Sequence, residues 1–219
     1  MLVSMWMTRE LILLPPEATI SEAAALMARH HIRRLLVARS DGRHHRLVGI
    51  TSAHDLARAF PPDVNPFSLA ARDHHPRERL SAIMTREVRT TSPDTPIEEA
   101  ARVLRAYKIG ALPVVRGGEL IGIITESDVF RAFLEMVGVH EAGVRVTFEA
   151  APEEDLAGTV LDLARRHGMQ IASVLSMEHD GRHLAVVRLL GTGADAFVED
   201  VWNTGHRVLS VLRAGPAAA

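Results

Sequence analysis

Gly122-Ile123-Ile124-Thr125-Glu126-Ser127-Asp128 sets a glycine and two β-branched apolar residues ahead of a hydroxyl, with an acid three positions beyond the hydroxyl. Gly49-Ile50-Thr51-Ser52-Ala53-His54-Asp55 has the same order, Ser52 standing for Thr125 and Asp55 for Asp128. In both stretches an apolar run feeds a polar residue that opens an amphipathic segment, which predicts a strand handing over to a helix at the hydroxyl. Such a junction suits an anion, because the first amides of a helix point outward and are unpaired.

Outward from the two junctions the likeness continues. Met7-Thr8-Arg9-Glu10 returns as Met84-Thr85-Arg86-Glu87, and one offset carries Pro16 onto Pro93, Ile20 onto Ile97, Ala23-Ala24 onto Ala100-Ala101, and Ile32 onto Ile109. Matches at a single offset mark an internal repeat. Gly49 and Gly122 are four positions closer than the earlier pairs, so the first copy has the longer hairpin loop.

Each copy reads as βαββα. Short extended runs at 11–14 and 88–91 are stopped by proline. Ile20, Ala23, Ala24 and Met27 share a helical face, as do Ile97, Ala100, Ala101, Val103 and Leu104. Hairpins follow, 35–38 with 47–51 around Ser40-Asp41-Gly42, and 112–115 with 120–124 around Gly117-Gly118. The interval 61–76, with Pro62, Pro66 and Asp73-His74-His75, reads as a linker holding a weak helical piece at 67–72.

After Val137 the pattern changes to βαββαβ, with strands at 144–148, 171–177, 184–190 and 208–212 and helices at 156–167 and 194–202. That order predicts a small sandwich with helices on one face of a mainly antiparallel sheet.

Composition narrows the function. The 219 residues carry a formal charge of −2, without the basic surplus that a general nucleic-acid or membrane partner would attract. No apolar run approaches a membrane span, and the apolar opening 1–7 is too short for a signal segment, so a cytoplasmic protein is expected. Zero cysteines exclude disulfides, thiolate nucleophiles and zinc–thiolate sites. Lys108 is the sole lysine among 25 basic residues, which reads as compositional bias.

The repeated unit, with its Met-Thr opening, the strand Ile109-Gly110-Ala111-Leu112-Pro113-Val114-Val115 and the Gly-Ile-Ile-Thr-Glu-Ser-Asp close, resembles the CBS domain, two of which pair into a Bateman module. The C-terminal βαββαβ part resembles an ACT domain, and Asp155-Leu156-Ala157-Gly158 is similar to that family's first strand-to-helix turn, with Ala157 where proline is common. The order of the three is similar to the AcuB family of acetoin-utilisation proteins. An α+β fold is therefore expected, with CBS domains at 1–60 and 77–138, linkers at 61–76 and 139–143, an ACT-like domain at 144–213 and a disordered tail at 214–219.

The resemblance implies adenine-nucleotide sites in clefts of the CBS pair. Asp55 and Asp128 would bind ribose hydroxyls, and Ser52 and Thr125 would lie near ribose or phosphate. A carboxylate accepts from two adjacent hydroxyls at once, and such charge-assisted bonds contribute about 1.5–3 kcal/mol each. Arg33 and Arg34, and Lys108 in the second copy, would face phosphate. Backbone and apolar atoms around Leu11 to Leu13 and Val88 to Thr90 would flank adenine. Asp155 and Gly158 would mark an ACT ligand site.

A ligand-free reading stands beside this one. Ser or Thr followed three residues later by an acid is also a capping box, although aspartate reaches back to the N-cap amide less readily than glutamate does, and Arg33-Arg34 also fits a solvated turn. The first copy departs further, with Leu36 where the second has Pro113.

Other signals carry less. Gly191-Thr192-Gly193-Ala194-Asp195-Ala196 fits a dinucleotide fingerprint in form, but the strands and the acid that the fingerprint needs do not follow, and a tight turn explains it. The doublets His30-His31, His44-His45 and His74-His75 lack an i, i+4 partner and read as turns, while His179 and His183 would face each other across the Asp180-Gly181 turn. No nucleophile elbow, zincin helix or P-loop is present. A regulatory protein, not an enzyme, is expected, a homodimer responsive to adenine nucleotide (AMP, ADP, ATP or a related adenosyl ligand), needing no metal and having a partner still to be named. The rival reading moves the sensing to an amino acid bound by the ACT-like part, with the CBS pair as a dimerisation scaffold.

Overall fold

The first long helix begins where Thr19 closes a capping box. The Thr19 hydroxyl accepts from the Glu22 N–H, and the Glu22 carboxylate accepts from the Thr19 N–H at 2.7 Å, which satisfies two amides the helix itself leaves open. Helix α1 (Ile20–His30) buries Ile20, Ala23, Ala24 and Met27 and stops at His31, in left-handed backbone with φ 53°. The computed structural model describes residues 1–42, 44–60, 64–67, 78–138 and 142–214. They divide into two compact units, Met1–Val129 and Phe130–Ala219. Most of the foreseen linker 61–76, including the 67–72 helix beyond Phe67 and Asp73-His74-His75, lies outside the described residues, as do most of 139–143 and the tail.

In the first unit β1 (Leu13–Leu14) runs parallel to β2 (Arg34–Asp41), which pairs antiparallel with β3 (His44–Ser52), and α2 (Ala53–Ala59) follows. A four-residue helix α3 (Leu80–Ile83) opens the second copy, ahead of α4 (Ile97–Tyr107), the hairpin β4 (Ala111–Arg116) and β5 (Glu119–Thr125), and α5 (Glu126–Val137). Gly117 and Gly118 turn that hairpin at φ 59° and 86°, values that glycine adopts without strain. The strand expected at 88–91 is reduced to one residue. The Thr91 N–H donates to the Pro113 carbonyl, and Thr91 accepts from the Val115 N–H, both at 2.9 Å.

The copies are joined crosswise. Thr8 of the first copy exchanges two backbone hydrogen bonds with Ile123 of the second, at 2.9 and 3.0 Å, and Thr85 of the second does the same with Ile50 of the first. Gly122 and Gly49 make this approach possible. A Cβ on Gly122 would lie 2.7 Å from the Met7 sulfur and 3.1 Å from the Thr8 carbonyl, and one on Gly49 would lie 2.6 Å from the Met84 sulfur and 3.0 Å from the Thr85 carbonyl. The segment ahead of each doublet follows it across. The Val3 N–H donates to Thr95 O at 2.9 Å, while the Leu80 N–H donates to Ala18 O at 2.8 Å, and Leu80 is fully buried among Ile20, Leu35 and Leu56. An apolar seam of Leu36, Ala38 and Leu120, with Leu13, Ile50 and Ile123 against it, lies between the hairpins.

The second unit realises the βαββαβ order. Strands β6 (Gly143–Glu149), β7 (Gln170–His179), β8 (Arg182–Leu190) and β9 (Arg207–Ala214) lie in the order β7-β8-β6-β9, all antiparallel. Helices α6 (Leu156–Arg166) and α7 (Ala194–Asn203) pack on them through Val160, Leu163, Phe197 and Val201 against Val146, Phe148, Val187 and Leu189. The glycines of 191–196 form the turn from β8 into α7, where a Cβ on Gly193 would lie 2.5 Å from the His167 carbonyl. His179 and His183 do not face each other as expected. The register pairs His179 with Arg182 and Glu178 with His183, because the turn is only two residues long. Among the described residues no helix is long and apolar enough to cross a membrane.

Candidate functional site

Both strand-to-helix junctions fold as the sequence predicts, and both close a capping box. At Ser52 the backbone N–H donates to Asp55 Oδ2 at 2.8 Å, the hydroxyl donates to the same oxygen at 2.6 Å, and the Asp55 N–H donates back to Ser52 Oγ at 3.2 Å. At Thr125 the corresponding distances to Asp128 are 2.9, 2.7 and 3.3 Å. Aspartate, although less suited to this role than glutamate, thus reaches back to the N-cap amide in both copies. The N-cap residue is extended, φ −111° and ψ 163° at Ser52. Capping thus occupies one carboxylate oxygen in each copy without any ligand.

The crosswise docking decides what surrounds these caps. With Met7-Thr8 seated on β5, the chain that follows lies over the Thr125 junction, and a cavity of about 760 Å³ forms there. Leu11, Ile12, Arg33 and Arg34 of the first copy line it together with Thr125 and Asp128 of the second. A second cavity of about 400 Å³ is the counterpart, with Val88, Arg89 and Lys108 of the second copy facing Ser52 and Asp55 of the first. Each cleft therefore takes an apolar segment from one copy and its capped acid from the other, while Arg34 of the first copy lines both.

The foreseen residues are distributed unevenly. Ser52, Asp55, Thr125, Asp128, Arg33, Arg34, Lys108, Leu11 and Val88 all line one or both clefts. Leu13 does not, and packs in the apolar seam. Thr90 does not either, and lines a separate cavity of about 470 Å³ beside Thr91 and Glu99.

The neighbours that residue types alone did not single out are Glu10, His31, His54 and Glu126 in the larger cleft, and Glu87 and Tyr107 in the smaller. Ile12 and Arg89, within the two stretches expected to flank adenine, occupy matching positions of the repeat and line the larger and the smaller cleft respectively. The Arg89 guanidinium lies over the Tyr107 ring, 3.4 Å from its centre, as a cation–π pair.

The larger cleft sets Arg33 and Arg34 against Glu10, Glu126 and Asp128, while the smaller sets Arg34, Arg89 and Lys108 against Asp55 and Glu87. Chemically both offer a carboxylate for paired hydroxyls, a helix start, guanidinium groups for phosphate and apolar strand atoms for a flat ring.

The family model for the CBS domain matches residues 3–62 and 80–135, together more than half of the chain. The chain belongs to the CBS domain family. Its CBS pair is similar to part of an inosine-5'-monophosphate dehydrogenase from Korarchaeum cryptofilum, 37% identical over 123 residues, which are 56% of this chain and 22% of the relative. The matched region thus spans about a fifth of that relative's length. Among solved structures the chain is similar to an acetoin utilization protein (AcuB) from Vibrio cholerae, 29% identical, TM-score 0.52, covering 64% of this chain and 94% of that one. It is also similar to CBSX2 in complex with AMP, 30% identical, TM-score 0.50, covering 61% and 96%.

In the C-terminal unit Asp155 is the N-cap of α6 and accepts from the Gly158 N–H at 3.0 Å. A Cβ on residue 158 would lie 2.4 Å from Asp155 Oδ2, so Gly158 is there to let the cap close. Next to it Glu154 and His206 form a largely buried pair at 2.7 Å. Burial pushes the Glu154 carboxyl up, but bonds from His206, Thr159 and the Ala151 amide outweigh it and hold the carboxyl below the ordinary glutamate range. His44 meets Glu119 at 3.0 Å and His45 meets Ser40 at 2.7 Å. Among the described residues no group of three His, Asp or Glu side chains is placed to hold a metal.

Proposed function

We propose that the chain is a regulatory ligand-sensing protein. It binds an adenine nucleotide, or a related adenosyl ligand, in the clefts of its CBS pair and passes the occupied state through an ACT-like C-terminal unit to a protein partner or dimer mate. The observation that carries this reading is the pair of crosswise clefts, each combining a capped acid from one copy with apolar and basic side chains from the other. The likeness to CBSX2 in complex with AMP supports the choice of ligand. Ser52, Asp55, Thr125 and Asp128 bind ribose or phosphate in this proposal, and Arg33, Arg34 and Lys108 bind phosphate.

Composite clefts suit regulation. A ligand that touches both copies binds best in one relative arrangement of them, and only such a difference in affinity shifts an equilibrium. Self-association has support in α5, which exposes Phe130, Phe133 and Met136 at helical spacing.

Thermal unfolding of the full chain with AMP, ADP, ATP, S-adenosylmethionine and a set of amino acids tests the proposal. A ligand at about 100 times its Kd stabilises by about 2.7 kcal/mol. A shift with an adenine nucleotide that Asp128→Ala diminishes is the expected result. A shift with amino acids alone would overturn it and move the sensing to the C-terminal unit.

A further inference from the structure

Arg34 lines both clefts, as do Gly110 and Ser52. In the repeat Gly110 matches Arg33 and Ala111 matches Arg34, so the second copy offers no guanidinium where the first offers two. Arg34 fills the gap. A Cβ on Gly110 would lie 1.6 Å from Arg34 Nη2 and 2.2 Å from its Cζ, so the guanidinium lies against the glycine of the other copy. Arg34 starts β2 opposite Ser52, and the Glu126 N–H donates to the Gly110 carbonyl at 3.3 Å, which places this contact between the two helix starts. Among the described residues the Arg34 guanidinium makes no hydrogen bond or ion pair.

We infer that the two clefts share this one cation, so that a phosphate-bearing nucleotide in either cleft weakens the binding of a second in the other. The inference rests on the reading of the clefts as nucleotide sites. One planar guanidinium satisfies one phosphate bidentately and, on turning toward it, leaves the other cleft. The loss is unequal. Without Arg34 the larger cleft keeps Arg33 against three carboxylates, while the smaller keeps Arg89 and Lys108 against two. The smaller cleft fills first, and the larger carries the penalty.

Calorimetric titration of AMP into the full chain tests this. The wild type binds in two phases, and in Asp55→Ala, with the smaller cleft silenced, the larger cleft binds at least about five-fold more tightly than in the second phase of the wild type. Arg34→Gln removes that difference, and so does Gly110→Ala, which displaces the guanidinium while keeping its charge. Two equal and independent sites in the wild type would overturn the shared cation and leave the nucleotide reading standing. A difference that survives Arg34→Gln would also overturn it, since direct repulsion between ligands would then suffice. Absence of AMP binding to the wild type would overturn both readings.

Discussion

The two clefts share a skeleton and differ in their charges. Each is roofed by the copy whose Met-Thr doublet has crossed over, and each rests on a hydroxyl-acid cap. Yet the larger has two arginines facing three acids, and the smaller has three cations facing two. The backbone plan is thus symmetric while the ligand chemistry is not, because backbone hydrogen bonds and a glycine hold the plan whereas side chains free to vary line the cavities.

The largest effect should come from breaking the shared plan. Gly122→Val and Gly49→Val each force a side chain into a methionine and a backbone carbonyl, at a cost of about 3 kcal/mol. Urea unfolding should show similar losses for both, and a loss confined to one would mean that only one crossing matters. Next come the caps. Thr19→Ala, Ser52→Ala and Thr125→Ala should each cost about 1 kcal/mol without ligand, since all three residues cap a helix in the same way. AMP titration should separate them, with Thr19→Ala binding like the wild type and the other two binding more weakly.

The smallest effects are in pH. Bonds from the Thr19 amide and hydroxyl hold Glu22 below the ordinary glutamate range, and the His206 bond and its companions do the same for Glu154 against the upward push of burial. A carboxylate depressed by folding contributes stability above its unfolded pKa and loses it as pH falls through the folded value. Glu22→Gln and Glu154→Gln should each flatten the fall in stability between about pH 5 and 3, by less than about 1 kcal/mol. An unchanged acid limb would show that these bonds do not distinguish folded from unfolded chain.

Local chemistry was legible in the sequence. The Ile20, Ala23, Ala24, Met27 face, the Gly117-Gly118 turn and both hydroxyl-acid helix starts are periodicity and cap signals that act within a few residues. The βαββαβ order after Val137 was equally readable. What the sequence hid was long-range. Nothing near Met7 says that it packs on Gly122 rather than Gly49, so the crossed composition of the clefts, and with it the place of Arg33 beside Asp128, emerges only in the fold. The missing strand at 88–91 has a similar cause, because Pro113 offers β4 a carbonyl but no N–H for an incoming partner.

Titration calorimetry of AMP on the wild type and on the Asp55→Ala/Asp128→Ala double variant addresses the central claim most directly. The charge-assisted bonds assigned to the two carboxylates are each worth about 1.5–3 kcal/mol, so the double variant should remain folded and bind AMP at least about ten-fold more weakly. A folded double variant that binds AMP as the wild type does would contradict the placement of the nucleotide in these clefts.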